Sequence, residues 1–372
     1  MRNIMRLGDV ASYVNGFPFK PSDWSDMGVP IIRIQDLTGN GYQMNRFDGK
    51  YDAKYEVRAG DVLISWSASL GVYVWKLETA VLNQHIFKVR FDKVDVDKDF
   101  FVYQVECLLK KAARQAHGAT MRHLTKPVFD GLPFYLPPKE EQKRIAVQLN
   151  AITRLIYIRQ RQAEKLDELV KARFVDMFWG AYSEVIAEDV CEKIVDCPHS
   201  TPKYNESELK YPAIRTSEIQ DGQIEWSSMK YVGINEYQRR VKRLIPEAGD
   251  IVYAREGTYG DCVILPEGYQ FCLGQRTMLF RPNYKLCNSE YLHAVLRSAA
   301  VKYQADMSNA GSTVPHVNVS DAKRFHFPLP PLPLQNAFAT FVHEVDCEKE
   351  RIQRSAALLE TLKRSLMQQY FG

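Results

Sequence analysis

No run in this sequence approaches the roughly 18 apolar residues that a membrane span requires. Its opening, MRNIMRLGDV, also lacks the apolar stretch of a secretory signal. A cytoplasmic location without membrane contact is the expectation. CxxC pairs are missing, and the seven cysteines, Cys107, Cys191, Cys197, Cys262, Cys272, Cys287 and Cys347, are an odd number. Neither a disulfide framework nor a zinc ribbon is indicated, and the cysteines read as buried thiols. There is no GxxxxGK[ST] phosphate loop, and Gly39-Asn40-Gly41 does not lead into a helix as a dinucleotide site requires. The asparagine-proline-proline-aromatic tetrapeptide of amino-methylating enzymes is absent, because the paired prolines follow Leu136 and Leu329. Catalysis by this chain alone is therefore not expected, nor is a metal or cofactor of its own. A strong excess of one charge is lacking too: the net charge of +4 and pI near 8.5 permit a nucleic-acid partner without announcing one.

What is present is length and repetition. With 372 residues, 45% hydrophobic and 25% charged, the chain is large enough for two cores. From Leu136 to Gly180, apolar side chains fall at Ile145, Leu149, Ile152, Ile156, Ala163, Leu166, Val170 and Met177, steps of three and four that Arg159 and Arg173 interrupt. This is the seam of a coiled coil. Pro137 and Pro138 suit a helix entrance, Glu140 and Glu141 favour its first turn, and Gly180 supplies a stop. The plan returns from Leu329 to Gly372, with Pro330 and Pro331 at the entrance and a seam through Phe338, Phe341, Val345, Ile352, Leu359, Leu362 and Leu366. A helix of about 40 residues reaches about 60 Å, longer than a compact domain is wide. Two such single-striped helices are best partnered by each other; the alternative is that each stripe packs on its own globular block.

The segments before each helix repeat as well. Pro30-Ile31-Ile32-Arg33-Ile34-Gln35-Asp36-Leu37 aligns with Pro212-Ala213-Ile214-Arg215-Thr216-Ser217-Glu218-Ile219, and Ala59-Gly60-Asp61-Val62-Leu63-Ile64 aligns with Ala248-Gly249-Asp250-Ile251-Val252-Tyr253. Gly71 matches Gly260, Gln84 in LNQH matches Gln275 in LGQR, and Gly118 to Leu124 matches Gly311 to Val317. Glycines, prolines and strand-like positions agree, whereas the loops differ. After the shared glycine-aspartate turn one copy reads Ser65-Trp66-Ser67-Ala68-Ser69 and the other Ala254-Arg255-Glu256-Gly257-Thr258. One fold carrying two surfaces implies two different ligands.

Candidate binding residues follow from this alignment. Arg33 and Arg215 suit phosphate or guanine, or else an ion pair with Asp36 or Glu218 on the same segment. Gln35, Ser67, Gln84 and His85 in the first copy, and Ser217, Arg255, Gln275 and Arg276 in the second, are base-reading types that ordinary surface polarity also explains. The loops around Thr120, Arg122 and His123, and around Ser312, Thr313 and His316, combine glycine, hydroxyls and a ring suited to a groove, or form ordinary turns. His123 and His316 occupy equivalent positions, but no nucleophile or carboxylate travels with both, so a contact or packing role is favoured over catalysis. Cys197-Pro198-His199 offers two metal ligands without a second pair nearby, and reads as a solvated loop.

Taken whole, two variable blocks each followed by a helix entered through Leu136 to Gln142 and Leu329 to Gln335 resemble the specificity subunit of type I restriction-modification enzymes. The stretch GSTVPHVNVSDAKRFHFPLPPLPLQ carries part of that resemblance, and the first copy departs from it at His117 to Arg122. The resemblance implies a mixed α/β fold with an internal pseudo-two-fold repeat. Residues 1–136 would form one target-recognition domain, 137–180 a central spacer helix, 181–329 a second such domain and 330–372 a distal helix, the helices forming an antiparallel coiled coil. It further implies that each domain reads half of a split site in double-stranded DNA, and that the helices set the spacing and dock modification subunits. S-adenosylmethionine would reside on those subunits and ATP on a restriction or motor subunit. A two-repeat protein-binding scaffold is the reading from another class; a stand-alone nuclease or methyltransferase fits less well, for want of its motifs.

Overall fold

Each globular block closes on itself through a two-stranded antiparallel ribbon. Ile4–Arg6 pairs with Pro133–Tyr135, and Glu184–Ile186 pairs with His326–Pro328. Immediately beyond the ribbons, Leu136 N donates to the Asn3 carbonyl at 2.9 Å and Leu329 N to the Ser183 carbonyl at 3.1 Å. The chain then enters a long helix through the paired prolines, whose missing N–H groups cost nothing in a first turn. The computed structural model describes residues 3–41, 43–115, 124–205, 210–308 and 316–372. In it the two long helices are Lys139–Phe178, the central helix, and Leu332–Phe371, the distal helix, 40 residues each. Gly180, with φ of 77°, turns the chain out of the central helix, a conformation that costs glycine little.

The two blocks share one sheet plan. In the first, an antiparallel sheet runs Ser12–Asn15, Ile86–Arg90, Val62–Ser65, Gly71–Val74; in the second it runs Cys191–Asp196, Thr277–Pro282, Ile251–Ala254, Cys262–Ile264. A further sheet in each contains one parallel pair, Val29–Ile32 beside Ala80–Leu82 and Tyr211–Ile214 beside Cys272–Leu273. The aligned segments of sequence thus occupy the same strands in the same order. Mixed helix and strand content, with the internal repeat, is what the sequence pattern implies.

The chain packs as two units, residues 1–159 with 354–372, and residues 160–353. Each long helix is accordingly shared between the units rather than standing as a body of its own. Within the first unit, Ile145 and Leu149 at the start of the central helix join a core with Phe100 and Phe134, and Leu366 and Phe371 from the end of the distal helix pack on it. The Phe371 and Phe100 rings lie 5.5 Å apart, and Tyr370 Oη donates to Gln148 Oε1 at 2.5 Å. Within the second unit the relation is reversed. Phe174 and Phe178 at the end of the central helix meet Phe338 at the start of the distal one, with ring centroids 5.7 and 5.4 Å apart. Start against end in both units makes the pairing antiparallel.

Most of the expected seam faces inward: Ile145, Leu149, Ile152, Ile156, Phe338, Val345 and Ile352 are buried, and Leu166, Val170, Phe341, Leu359 and Leu366 half-buried. Leu362 does not follow. It is 47% exposed, because the step after Leu359 is four residues rather than three, and half-buried Lys363 takes the inward position, its ammonium 5.7 Å from the Tyr103 ring centroid. Phe174 likewise replaces exposed Arg173 as the seam residue of its turn. Among the cysteines, Cys197, Cys262, Cys272 and Cys287 are buried, as thiols of this kind are, but Cys347 is exposed on the distal helix.

A buried glutamine fastens each helix entrance. Gln142 Oε1 accepts from Asp97 N at 2.7 Å and its Nε2 donates to the Pro137 carbonyl at 2.8 Å. Gln335 Oε1 accepts from Asn288 N at 2.9 Å, while its Nε2 donates to the Leu286 and Pro330 carbonyls at 2.9 and 2.8 Å. Asp97 and Asn288 are themselves helix caps, accepting from Phe100 N at 3.0 Å and Tyr291 N at 2.7 Å. Each glutamine therefore bolts a long helix to the start of a domain helix. Buried polar groups left without partners cost about 1–3 kcal/mol each, so Gln335→Ala is expected to lower the unfolding free energy by about 2–4 kcal/mol. Urea titration of the two proteins checks this; equal midpoints and slopes would show that the bolt contributes nothing.

Candidate nucleic-acid interface

Strand ends place the candidate residues. In the second unit, Arg215 follows the strand Tyr211–Ile214, Arg255 follows Ile251–Ala254, Gln275 and Arg276 join Cys272–Leu273 to Thr277–Pro282, and His316 precedes the helix Val319–Lys323. Backbone bonds draw these ends together. Arg255 N donates to the Arg276 carbonyl at 2.8 Å, Val317 N to the Arg255 carbonyl at 3.0 Å and Gly274 N to the Ile214 carbonyl at 2.6 Å, while Glu256 and His316 form an isolated bridge. At Gly274 the approach is so close that a Cβ would lie 2.4 Å from Arg215 Cγ, and only glycine fits without displacement. Thr258 Oγ1 adds a bond to the Thr216 carbonyl at 3.2 Å.

The first unit repeats this scaffold. Trp66 N donates to the His85 carbonyl at 3.3 Å, Leu124 N to the Trp66 carbonyl at 3.1 Å and Asn83 N to the Ile32 carbonyl at 3.1 Å. His85 and Arg276, the aligned residues, both adopt left-handed backbone, with φ of 71° and 63°. Arg33, Ser67, Gln84 and His85 therefore belong to one loop cluster, as Arg215, Arg255, Gln275, Arg276 and His316 do in the other unit. Thr120, Arg122, His123, Ser312 and Thr313 lie outside the described residues.

Side chains on the common scaffold differ in kind. Trp66 Nε1 donates to Asn15 Oδ1 at 3.3 Å, and its ring stacks on Phe87 with centroids 5.6 Å apart. At the matching place in the second unit, Arg255 pairs through Nη1 with Asp196 and donates from Nε to the Val317 carbonyl at 2.8 Å. Asn15 opposes Phe87 and Asp196 opposes Met278 in the two sheets, so the carboxamide and the carboxylate are structural equivalents. A neutral aromatic contact has been exchanged for an ionic one. Neither Asn15 nor Asp196 was singled out from the sequence, since each merely ends a strand; the alignment of the flanking strands is the signal that finds them.

Arg33 and Arg215 both form the ion pair open to them on their own segments. Arg33 Nε lies 3.2 Å from Asp36 Oδ2, and Arg215 Nε lies 3.0 Å from Glu218 Oε2 with a second bond from Nη2. Each arginine also donates to a carbonyl, Gln43 at 3.1 Å or Ser228 at 3.2 Å. Arg276 Nε pairs with Glu256 Oε2 at 3.0 Å, and Gln275 Nε2 donates to the His199 carbonyl at 3.1 Å. Gln35 and Ser217 are exposed, whereas Ser67 is only 4% exposed, its carbonyl accepting from buried Ser65 Oγ at 3.1 Å. Ser67 is therefore poorly placed to touch a ligand; Ala68 and Ser69 beside it are exposed. His316 Nε2 lies 2.9 Å from Asn318 Oδ1. No group of three or more metal-ligating side chains occurs among the described residues, and no helix among them is long and apolar enough to cross a membrane.

Comparison with known proteins sets this doubled arrangement in a family. Residues 3–168 and 183–360, one segment for each repeat, match the family described as the type I restriction modification DNA specificity domain. The chain belongs to this family. Relatives among specificity chains include the type I restriction enzyme EcoBI specificity subunit of Escherichia coli, 22% identical over 98% of this chain and 84% of that one. The MjaVIII specificity subunit of Methanocaldococcus jannaschii is 22% identical over 98% and 90%. Among solved structures, one from a study of complex assembly and conformational transition of the type I R-M system aligns with a TM-score of 0.62 at 15% identity, covering 99% of this chain and 97% of that one. A crystal structure of the type I S subunit from M. genitalium aligns with a TM-score of 0.55 at 13% identity, covering 100% and 96%. These likenesses extend the fold of the specificity family over the whole chain.

The Arg255 and Asp196 side chains are only 11% and 21% exposed, so their pairing is shielded from solvent. A double-mutant cycle with Arg255→Ala and Asp196→Ala is expected to give a coupling of about 1–3 kcal/mol in unfolding free energy. Additive losses would show that the pair does not hold the loop.

Proposed function

We propose that this chain is the address-reading subunit of a type I restriction-modification assembly, each unit reading one half of a bipartite site in double-stranded DNA. The observation that carries the proposal is the duplicated scaffold with exchanged side chains, Trp66 on Asn15 in one unit and Arg255 on Asp196 in the other. Backbone bonds shape the cluster in both units, and side chains alone can then differ according to the bases faced. The bases addressed include those reached by exposed Arg276 and by half-buried Gln84, His85 and Gln275. A scaffold that binds two proteins would share the repeat, but membership of the DNA specificity family disfavours it.

The chain supplies the address and not the reaction. Modification subunits would bring S-adenosylmethionine, and a motor subunit ATP. Their docking face is proposed on the outer side of the central helix, where Val147 and Leu155 are 66% and 46% exposed on the side turned from Ile145 and Leu149. At the equivalent positions of the distal helix stand exposed Thr340 and Glu348, so the two helices do not present the same face. Leu155→Glu, which leaves the seam intact, is expected to weaken co-purification with modification subunits without moving the melting temperature. An unaltered complex would place docking elsewhere.

Specificity is tested by selecting sites from a random DNA library with the reconstituted complex. Arg276→Ala should change preference at individual bases of one half-site, by about 1–3 kcal/mol each, with the other half-site untouched. Loss spread evenly over all sequences would mark a phosphate contact instead. Seven residues inserted in register into both long helices lengthen each by about 10 Å, so the preferred gap between half-sites should grow by about three base pairs. An unchanged gap in a folded, binding variant would show that the helices do not set it.

A further inference from the structure

The loop Cys197-Pro198-His199, which reads from sequence as ordinary solvated turn, leaves the strand Cys191–Asp196 beside the second unit's loop cluster. Asp196 holds two bases at once. One carboxylate oxygen pairs with Arg255, and the other lies 3.2 Å from His199 Nε2. Gln275 fixes the same loop by donating to the His199 carbonyl at 3.1 Å. The neighbouring arginines are already engaged, Arg215 by Glu218, Arg276 by Glu256 and Arg255 by Asp196 and the Val317 carbonyl. His199 differs from them. Its side chain is 72% exposed although one ring nitrogen lies beside the Asp196 carboxylate, and among the described residues no hydrogen bond to its Nδ1 is found.

A carboxylate can only accept, so a neutral ring facing Asp196 carries its proton on Nε2, which leaves Nδ1 as an acceptor. In the major groove guanine and thymine present acceptors there, whereas adenine and cytosine present an exocyclic amine that donates. We propose that His199 is a specificity-determining residue of the second unit, its Nδ1 accepting a hydrogen bond from the amine of an adenine or a cytosine. The inference rests on the DNA-reading function proposed above and adds to it a residue and a class of base. Pro18 stands at the matching place in the first unit, three residues after Asn15 as His199 is three after Asp196, and proline offers no side-chain acceptor. The contact belongs to one half-site only.

The test uses the full chain assembled with its modification subunits. Sites are selected from a random duplex library with the parent, His199→Ala and His199→Gln. The parent is expected to prefer one base pair at a position of the second half-site, and His199→Ala to relax that position by about 10- to 100-fold while every other position holds. His199→Gln, which retains an acceptor, should keep much of the preference. Replacing the selected base by an analogue without the amine, purine for adenine or 2-pyrimidinone for cytosine, should weaken the parent by a similar factor and leave His199→Ala unchanged. Identical preferences in parent and His199→Ala, a parent that binds the amine-free analogue as well as the selected base, or an even loss over all sequences in variants that melt like the parent would overturn the assignment. A parent complex that selects no sequence at all would instead sink the DNA-reading function, and this inference with it.

Discussion

Gln142 and Gln335 place a carboxamide inside each helix entrance, where every polar atom must find a partner because water does not reach it. The partners found are the backbone of the preceding proline and the backbone N–H of a residue that caps a domain helix. Such a bond set has direction, which apolar packing lacks. The aromatic contacts around Phe100 and Phe338 add apolar burial, yet rings slide at small cost, whereas rotation of a long helix about its entrance would break two or three buried hydrogen bonds at once. The orientation with which a long helix leaves each domain depends on this fastening, and so does the phase of its apolar stripe.

The loop clusters obey a different economy. Their shape comes from backbone bonds such as Trp66 N to the His85 carbonyl and Arg255 N to the Arg276 carbonyl, which no side chain contributes to. Substitution at these positions therefore leaves these backbone bonds available, although side-chain bonds such as Arg255 Nε to the Val317 carbonyl add to them. That is why tryptophan on asparagine and arginine on aspartate can occupy one place in two copies of the fold, and why chemistry diverges there while glycines and strand residues stay in register. A left-handed residue at His85 and Arg276 marks the same turn in both, held by its neighbours against the modest strain of a side chain at positive φ.

Much of the architecture was legible because it rests on periodicity. Steps of three and four residues from Ile145 to Met177 can be satisfied only by one helix face, and the proline pairs and Gly180 bracket it. The failure at Leu362 shows the limit of that reading: from Leu359 both the third and the fourth following residue lie near the stripe, and only packing decides that Lys363 turns inward. Gln142 and Gln335 were visible as part of a repeated entrance but not as buried, since a glutamine in a first turn ordinarily meets water. Arg33 and Asp36 suit an ion pair and a ligand contact equally by spacing, and three-dimensional closure was needed to see the pair. His199 was passed over for a related reason, because its partner Asp196 acquires meaning only when the strand end is placed beside Arg255.

The charged groups of the second cluster carry a consequence for recognition. Arg215, Arg255 and Arg276 each face a carboxylate, so the cluster adds little net charge where a ligand would sit. Affinity for duplex DNA comes largely from neutralised phosphates and releases counterions in proportion, an effect that paired arginines supply weakly. What paired arginines do supply is rigidity: a guanidinium held by Glu218 or Asp196 presents its remaining N–H groups in one orientation, and a base that misaligns with them cannot be met by side-chain rearrangement. Under the proposed function, then, the chain is built to discriminate between sequences more than to grip them. The grip must come from surfaces with unpaired cations, which is the physical reason for an address reader to work inside an assembly.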